Sequence, residues 1–152
     1  HGASDTLYGS PQDGEFTVLI NETNIQELLY GKRCFILACN SYEFCENYNL
    51  TSFIGFGNMP TGIVDVKIAM EADTTFPSLE KEDIDTYDAA LVSLLIRAFN
   101  VAWLTDMEKL YSKIRLYANV EIGECLINKP CKMFREVADL LQDFKNDCTY
   151  CP

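Results

Sequence analysis

Hydrophobic and polar positions alternate through the first part of the chain and switch to a three-to-four-residue period after about residue 84. Phe16, Val18 and Ile20 alternate with Thr17 and Leu19, which predicts a strand. Asn24–Leu29 reads as a helical turn stopped by Gly31, and Arg33–Ala38 is a continuous apolar run suited to a buried strand. Leu50–Phe56 predicts a further short strand, ended by Gly55 and Gly57. The clearest alternation is Gly62–Met70. There Val64, Val66, Ile68 and Met70 share one face and Asp65 and Lys67 the other, the pattern of a half-buried antiparallel strand.

Beyond it, Ile84, Tyr87, Leu91, Leu94, Leu95, Ala98 and Ala102 form a helical stripe, and the acids that precede it suit the positive end of a helix dipole. Thr105-Asp106-Met107-Glu108 has the form of a capping box and predicts a second helix start, with Met107, Leu110, Tyr111 and Ile114 inward. Tyr117–Ile122 reads as extended. Asn128-Lys129-Pro130 announces a last helix with proline in its first turn, whose apolar face is Phe134, Val137, Ala138, Leu141 and Phe144. Residues 1–14, small, polar and rich in turn formers, read as a flexible N-terminal arm, and 15–152 as a single domain. Strands first and helices second predict an α+β fold, with N-terminal antiparallel strands packed against C-terminal helices.

Composition narrows the picture. A chain of 152 residues supports one hydrophobic core, and 8 Tyr, 9 Phe and 1 Trp make disorder a poor description. With 23 acidic against 12 basic side chains the formal net charge is −11, which argues against nucleic acid and anionic membrane surfaces. A basic partner is compatible with it. The longest apolar stretch, Ala89–Leu104, is broken by Ser93, Arg97 and Asn100 and falls short of the roughly 20 residues a span requires.

Seven cysteines (Cys34, Cys39, Cys45, Cys125, Cys131, Cys148 and Cys151) accompany two sequons, Asn21-Glu22-Thr23 and Asn49-Leu50-Thr51. Together with a start that lacks Met, they predict a secreted, disulfide-stapled glycoprotein with glycans on Asn21 and Asn49. Cys131 and Cys148 bracket the last helix, which would hold them ~25 Å apart, too far for a bridge. The expected links therefore run from Cys148 and Cys151 back to the early cysteines, with Cys125 and Cys131 bonded to each other or to the remaining early cysteine, and an odd count leaves at least one thiol free or intermolecular.

The candidate chemistries are few. The single histidine is His1, so triads, Cys-His nucleophiles and His-based zinc sites lack an internal imidazole. Cys148-Thr149-Tyr150-Cys151 has dithiol spacing but follows a helix instead of opening one, which favours a structural role. Asp83-Ile84-Asp85-Thr86-Tyr87-Asp88 lacks the glycine and glutamate of a calcium loop. No catalytic set, metal or cofactor is expected. The acids Glu71, Asp73, Glu80, Glu82, Asp83, Asp85 and Asp88 face a single Lys81 and read as a surface for a basic partner. The function expected is binding of an extracellular protein, as an effector, immune modulator or signalling ligand. Two alternatives are a carrier of a small apolar ligand, using a cavity beside Trp103, Phe99 and Tyr111, and a helical cytokine-like ligand.

Overall fold

The computed structural model describes residues 1–9, 15–59, 79–102 and 106–152. Its described elements are β1 (Leu7–Tyr8), β2 (Val18–Ile20), α1 (Ile25–Leu29), β3 (Cys34–Phe35), α2 (Ser41–Asn47), β4 (Phe53–Gly55), α3 (Lys81–Ala102), α4 (Met107–Asn128), α5 (Phe134–Asp147) and β5 (Thr149–Cys151). The fold is mixed α+β with small sheets: β1 pairs with β2, and β3, β4 and β5 form a three-stranded sheet in that order. The strand expected over Gly62–Met70 lies outside the described residues.

β4 organises the molecule because its residues point alternately to opposite faces. Phe53 enters a small core with Leu7, Ile25, Cys34, Phe44, Cys45 and Leu50. Ile54 enters the larger core made by the three long helices. Both side chains are at most 1% exposed, so each contributes about 1.5–3 kcal/mol of transfer free energy. The β3–β4 ladder is parallel and the β4–β5 ladder antiparallel, so the expected all-antiparallel arrangement holds for β1–β2 and β4–β5 only.

The long helices run alternately up and down. Ser93 and Arg97 of α3 meet Glu121 and Tyr117 of α4, and Arg115 and Cys125 of α4 meet Lys145 and Phe134 of α5. Asp106 caps α4, its carboxylate accepting the Lys109 N–H at 2.5 Å. Tyr117–Ile122, expected to be extended, lies inside α4, because Met107, Leu110, Ile114, Ala118, Glu121 and Cys125 continue one inward stripe. Proline does not open α5. Lys129 ends α4 in a left-handed conformation (φ 50°), and the last helix starts only at Phe134.

Ser41–Asn47 forms a helix where none is expected. Asn40 tolerates the left-handed turn (φ 53°) that starts it. The buried Ser41 hydroxyl then donates to the Ile36 carbonyl at 2.7 Å and accepts the Phe56 N–H at 2.9 Å. Gly55 lets α2 approach: a Cβ there would sit 2.8 Å from the Tyr42 Cα and backbone nitrogen.

The disulfide staples are absent: all seven cysteines are free thiols. The Cys39 thiol donates to the Met59 carbonyl at 3.0 Å and the Cys125 thiol to the Phe134 carbonyl at 3.1 Å, while Cys45 and Cys148 are buried as small apolar side chains. The C-terminal segment does return to the early strands, but through the β4–β5 ladder. Cys151 pairs with Phe53 there and packs on the small core that holds Cys34 and Cys45. Of the expected arm, Leu7 and Tyr8 pair with β2 and Leu7 is buried, whereas residues 10–14 lie outside the described residues.

Candidate functional site

Of the acids singled out from sequence, Asp83 is not at the surface. Glu71 and Asp73 lie outside the described residues. Glu80 pairs with Lys132 at 3.4 Å and Asp85 with Lys81 at 2.5 Å, while Glu82 is exposed. Asp83 is 1% exposed and structural. Its carboxylate accepts the Glu80 N–H at 2.9 Å and the Met133 N–H at 3.0 Å, tying the first turn of α3 to the loop before α5. Burial acts to raise its pKa, but those two N–H donors, the Cys131 thiol and the Lys132 charge outweigh it and hold the carboxyl below its ordinary value.

The remaining member, Asp88, is half-buried on α3 next to Tyr87, and α5 carries an acidic ladder of its own. Asp139, Asp143 and Asp147 recur at four-residue spacing along α5, so they share one side of that helix. Asp88, Asp143 and Asp147 all lie within electrostatic range of the Tyr87 hydroxyl between α3 and α5. None of these four carboxylates has an ion-pair partner among the described residues. Desolvation, then the charges of Asp147 and Asp139, raise the Asp143 pKa; desolvation, then Asp85, raises that of Asp88. Asp143 and Asp147 also stand in the last turns of α5, at the negative end of its dipole. The face thus breaks two local rules for helix charge together.

Tyr87 lies beneath the face, fully buried. Its hydroxyl is the one side-chain polar atom among the described residues that is sealed from solvent without a hydrogen-bond partner. Burial and the surrounding carboxylates push its pKa well above the ordinary phenol value.

A second feature is a cleft of ≈ 270 Å³ among α3, α4 and α5. Small side chains on α3 (Thr86, Ala89, Ala90) leave the space, and Glu121, Glu124 and Cys125 of α4 and Val137 and Leu141 of α5 line it. Glu121 is 8% exposed, and its Oε1 accepts the Ser93 hydroxyl at 2.7 Å and the Arg97 guanidinium at 3.2 Å. Arg97 in turn lies over the Tyr117 ring, 4.6 Å from its centroid. Trp103, beside which a cavity is expected from sequence, lies outside the described residues.

Of the sequon asparagines, Asn49 is exposed and Asn21 half-buried. The Asn21 Oδ1 accepts the Thr23 N–H at 3.0 Å and the Thr23 hydroxyl at 2.6 Å. Among the described residues no group of three or more His, Cys, Asp or Glu side chains could hold a metal ion, and no helix is long and apolar enough to cross a membrane.

The aspartates of α5 and the cleft glutamates had sequence signals. The former form an acidic i, i+4 ladder within an amphipathic helix, and Glu121 occupies a core position of the α4 stripe. Reading 117–122 as extended concealed the second. A scan against protein-family models finds no match for the chain, and neither do searches of curated proteins and of solved structures.

Proposed function

We propose that the protein acts by binding, without catalysing a reaction, a partner protein that presents a basic surface. The contact is the face formed by Asp88, Asp139, Asp143 and Asp147. The observation that carries this reading is the ladder on α5: three carboxylates at four-residue spacing, two of them in the last turns at the negative end of the helix dipole, none in an ion pair among the described residues, while Lys145 beside them is turned to Asn119 and Gln142. Violations of local charge rules concentrate at functional sites, where a partner supplies the missing compensation. Lysines or arginines from a partner would do so here, and a net charge of −11 would speed their approach.

An extracellular setting, with a role as effector, immune modulator or signalling ligand, remains part of the proposal. It now rests on the sequons at Asn21 and Asn49, because free thiols withdraw the cysteine argument. Production in a secretory host, with the intact mass read before and after glycan removal, tests it; no glycan on either asparagine would remove its support.

The binding test compares wild type with D139N/D143N as bait for extracellular proteins at about 0.05 M and about 0.5 M salt, where screening shortens from roughly 14 Å to roughly 4 Å. A saturable partner held by wild type at low salt, and lost both from the variant and at high salt, is the expected result. Equal capture by the variant would overturn the assignment of this face.

A further inference from the structure

We propose that the cleft among α3, α4 and α5 is a binding site for a small organic cation, a protonated amine on a short apolar body. This site does not depend on the docking face. In Glu121, Oε1 is already engaged by Ser93 and Arg97, while Oε2 takes no hydrogen bond from the described residues. Oε2 is not sealed, since the Tyr87 hydroxyl alone holds that status among the described side-chain oxygens and nitrogens. Glu121 lines the cleft, and this oxygen is left to accept a further donor.

Charge and shape then select the ligand. Arg97 offsets one carboxylate, and Glu124, exposed at the mouth one turn along α4, leaves the cleft one negative charge in excess. Neither anion nor neutral body meets that surplus, whereas an ammonium group supplies donors for Glu121 Oε2 and for the Glu124 carboxylate. Below them the floor is apolar: Ala90, Cys125, Val137 and Leu141, with Val137 and Leu141 fully buried. A volume of ≈ 270 Å³ equals about nine waters, which suits an aryl or alkyl group of similar size behind the amine.

The test is calorimetric titration of the folded protein with 2-phenylethylamine, its neutral analogue 2-phenylethanol and its anionic analogue phenylacetate. Two variants accompany it: A89F, which fills the mouth from an exposed position, and E124Q, which removes the rim charge. Neither residue anchors the core, so circular dichroism and melting should match wild type. Expected are saturable one-to-one binding of the amine, at least about tenfold weaker binding of the alcohol and none of the acid, in keeping with the loss of a charge-assisted hydrogen bond. A89F should abolish binding and E124Q weaken it severalfold. Equal affinity for amine and alcohol would reduce the cleft to an apolar pocket. Undiminished amine binding by A89F would reduce the effect to general attraction by an acidic surface, and failure of the amine to saturate would remove the site. Each of these three results overturns the proposal.

Discussion

Replacing Asp83 with alanine removes the acceptor of two backbone donors, the Glu80 and Met133 N–H groups, which it holds at 2.9 and 3.0 Å. Hydrogen bonds to a charged acceptor contribute about 1.5–3 kcal/mol each, and because both donors are only partly buried, water can replace some of that; the expected loss is about 2–4 kcal/mol. Urea denaturation at pH 7 should show it as a lower midpoint with an unchanged slope. The pH dependence supplies the sign. The folded carboxyl is held below its ordinary value, so its stabilisation is present above the unfolded pKa of about 3.9 and is lost as pH falls through the folded pKa. The gap between wild type and D83N should therefore close as pH drops below about 4. A D83A midpoint within about 0.5 kcal/mol of wild type, or a gap that persists in acid, would refute the assignment of Asp83 as the link between α3 and the α4–α5 loop.

D143N should raise stability at neutral pH by about 0.5–1 kcal/mol, since it relieves like-charge pairs with both Asp139 and Asp147. The raised folded pKa of Asp143 means that its favourable contribution exists below the unfolded value and is lost as pH rises. The gain should thus vanish in acid, and melting curves at pH 7 and pH 3 decide the matter. Y87F should be neutral or stabilising by about 1 kcal/mol in urea denaturation because it removes a sealed, unpartnered hydroxyl; a loss above 1 kcal/mol would show that the hydroxyl has a partner. G55A should cost about 1–3 kcal/mol or more, because its new methyl would meet backbone atoms of Tyr42 that have no side-chain freedom to move aside. Thiol titration of unreduced, denatured protein should count seven groups. In the native state Cys45 and Cys148, both pushed up to about 12 by burial, should react last at pH 8; early modification of either would contradict their burial.

The sequence announced elements whose signals are local. The stripe from Ile84 to Ala102, the cap region before Met107 and the apolar face from Phe134 to Phe144 each became a helix, because periodicity over several turns is a many-residue signal. Errors arose where a few residues had to decide. Tyr117–Ile122 is rich in residues that also suit strands, and only its register with Ile114 and Cys125 marks it as helix. α2 depends on Ser41 bonding to residues on either side of a turn, a tertiary arrangement with no local signature. Cysteine count misled because a buried thiol and a half-cystine are the same letter, and here the small-apolar role prevails. Of the acids, Asp88 was legible as a site candidate, and the ladder Asp139, Asp143 and Asp147 was equally open to the four-residue spacing of α5, but attention to its apolar face alone passed over it.

The placement of β5 beside β4 also sets an order of events for the folding chain. Cys151 meets Phe53 from about a hundred residues downstream, while the helices are built largely from contacts between near neighbours. Closing so long a loop costs only about 0.6 kcal/mol more than closing one half as long, so the distance delays the step more than it weakens the product. The helices can assemble early, on timescales set by local contacts, and the sheet must wait. Until Thr149–Cys151 docks, β4 shows an unpaired edge, and Phe53–Gly55 is then a segment able to pair with another chain. During synthesis that vulnerable interval lasts until Thr149–Cys151 has emerged.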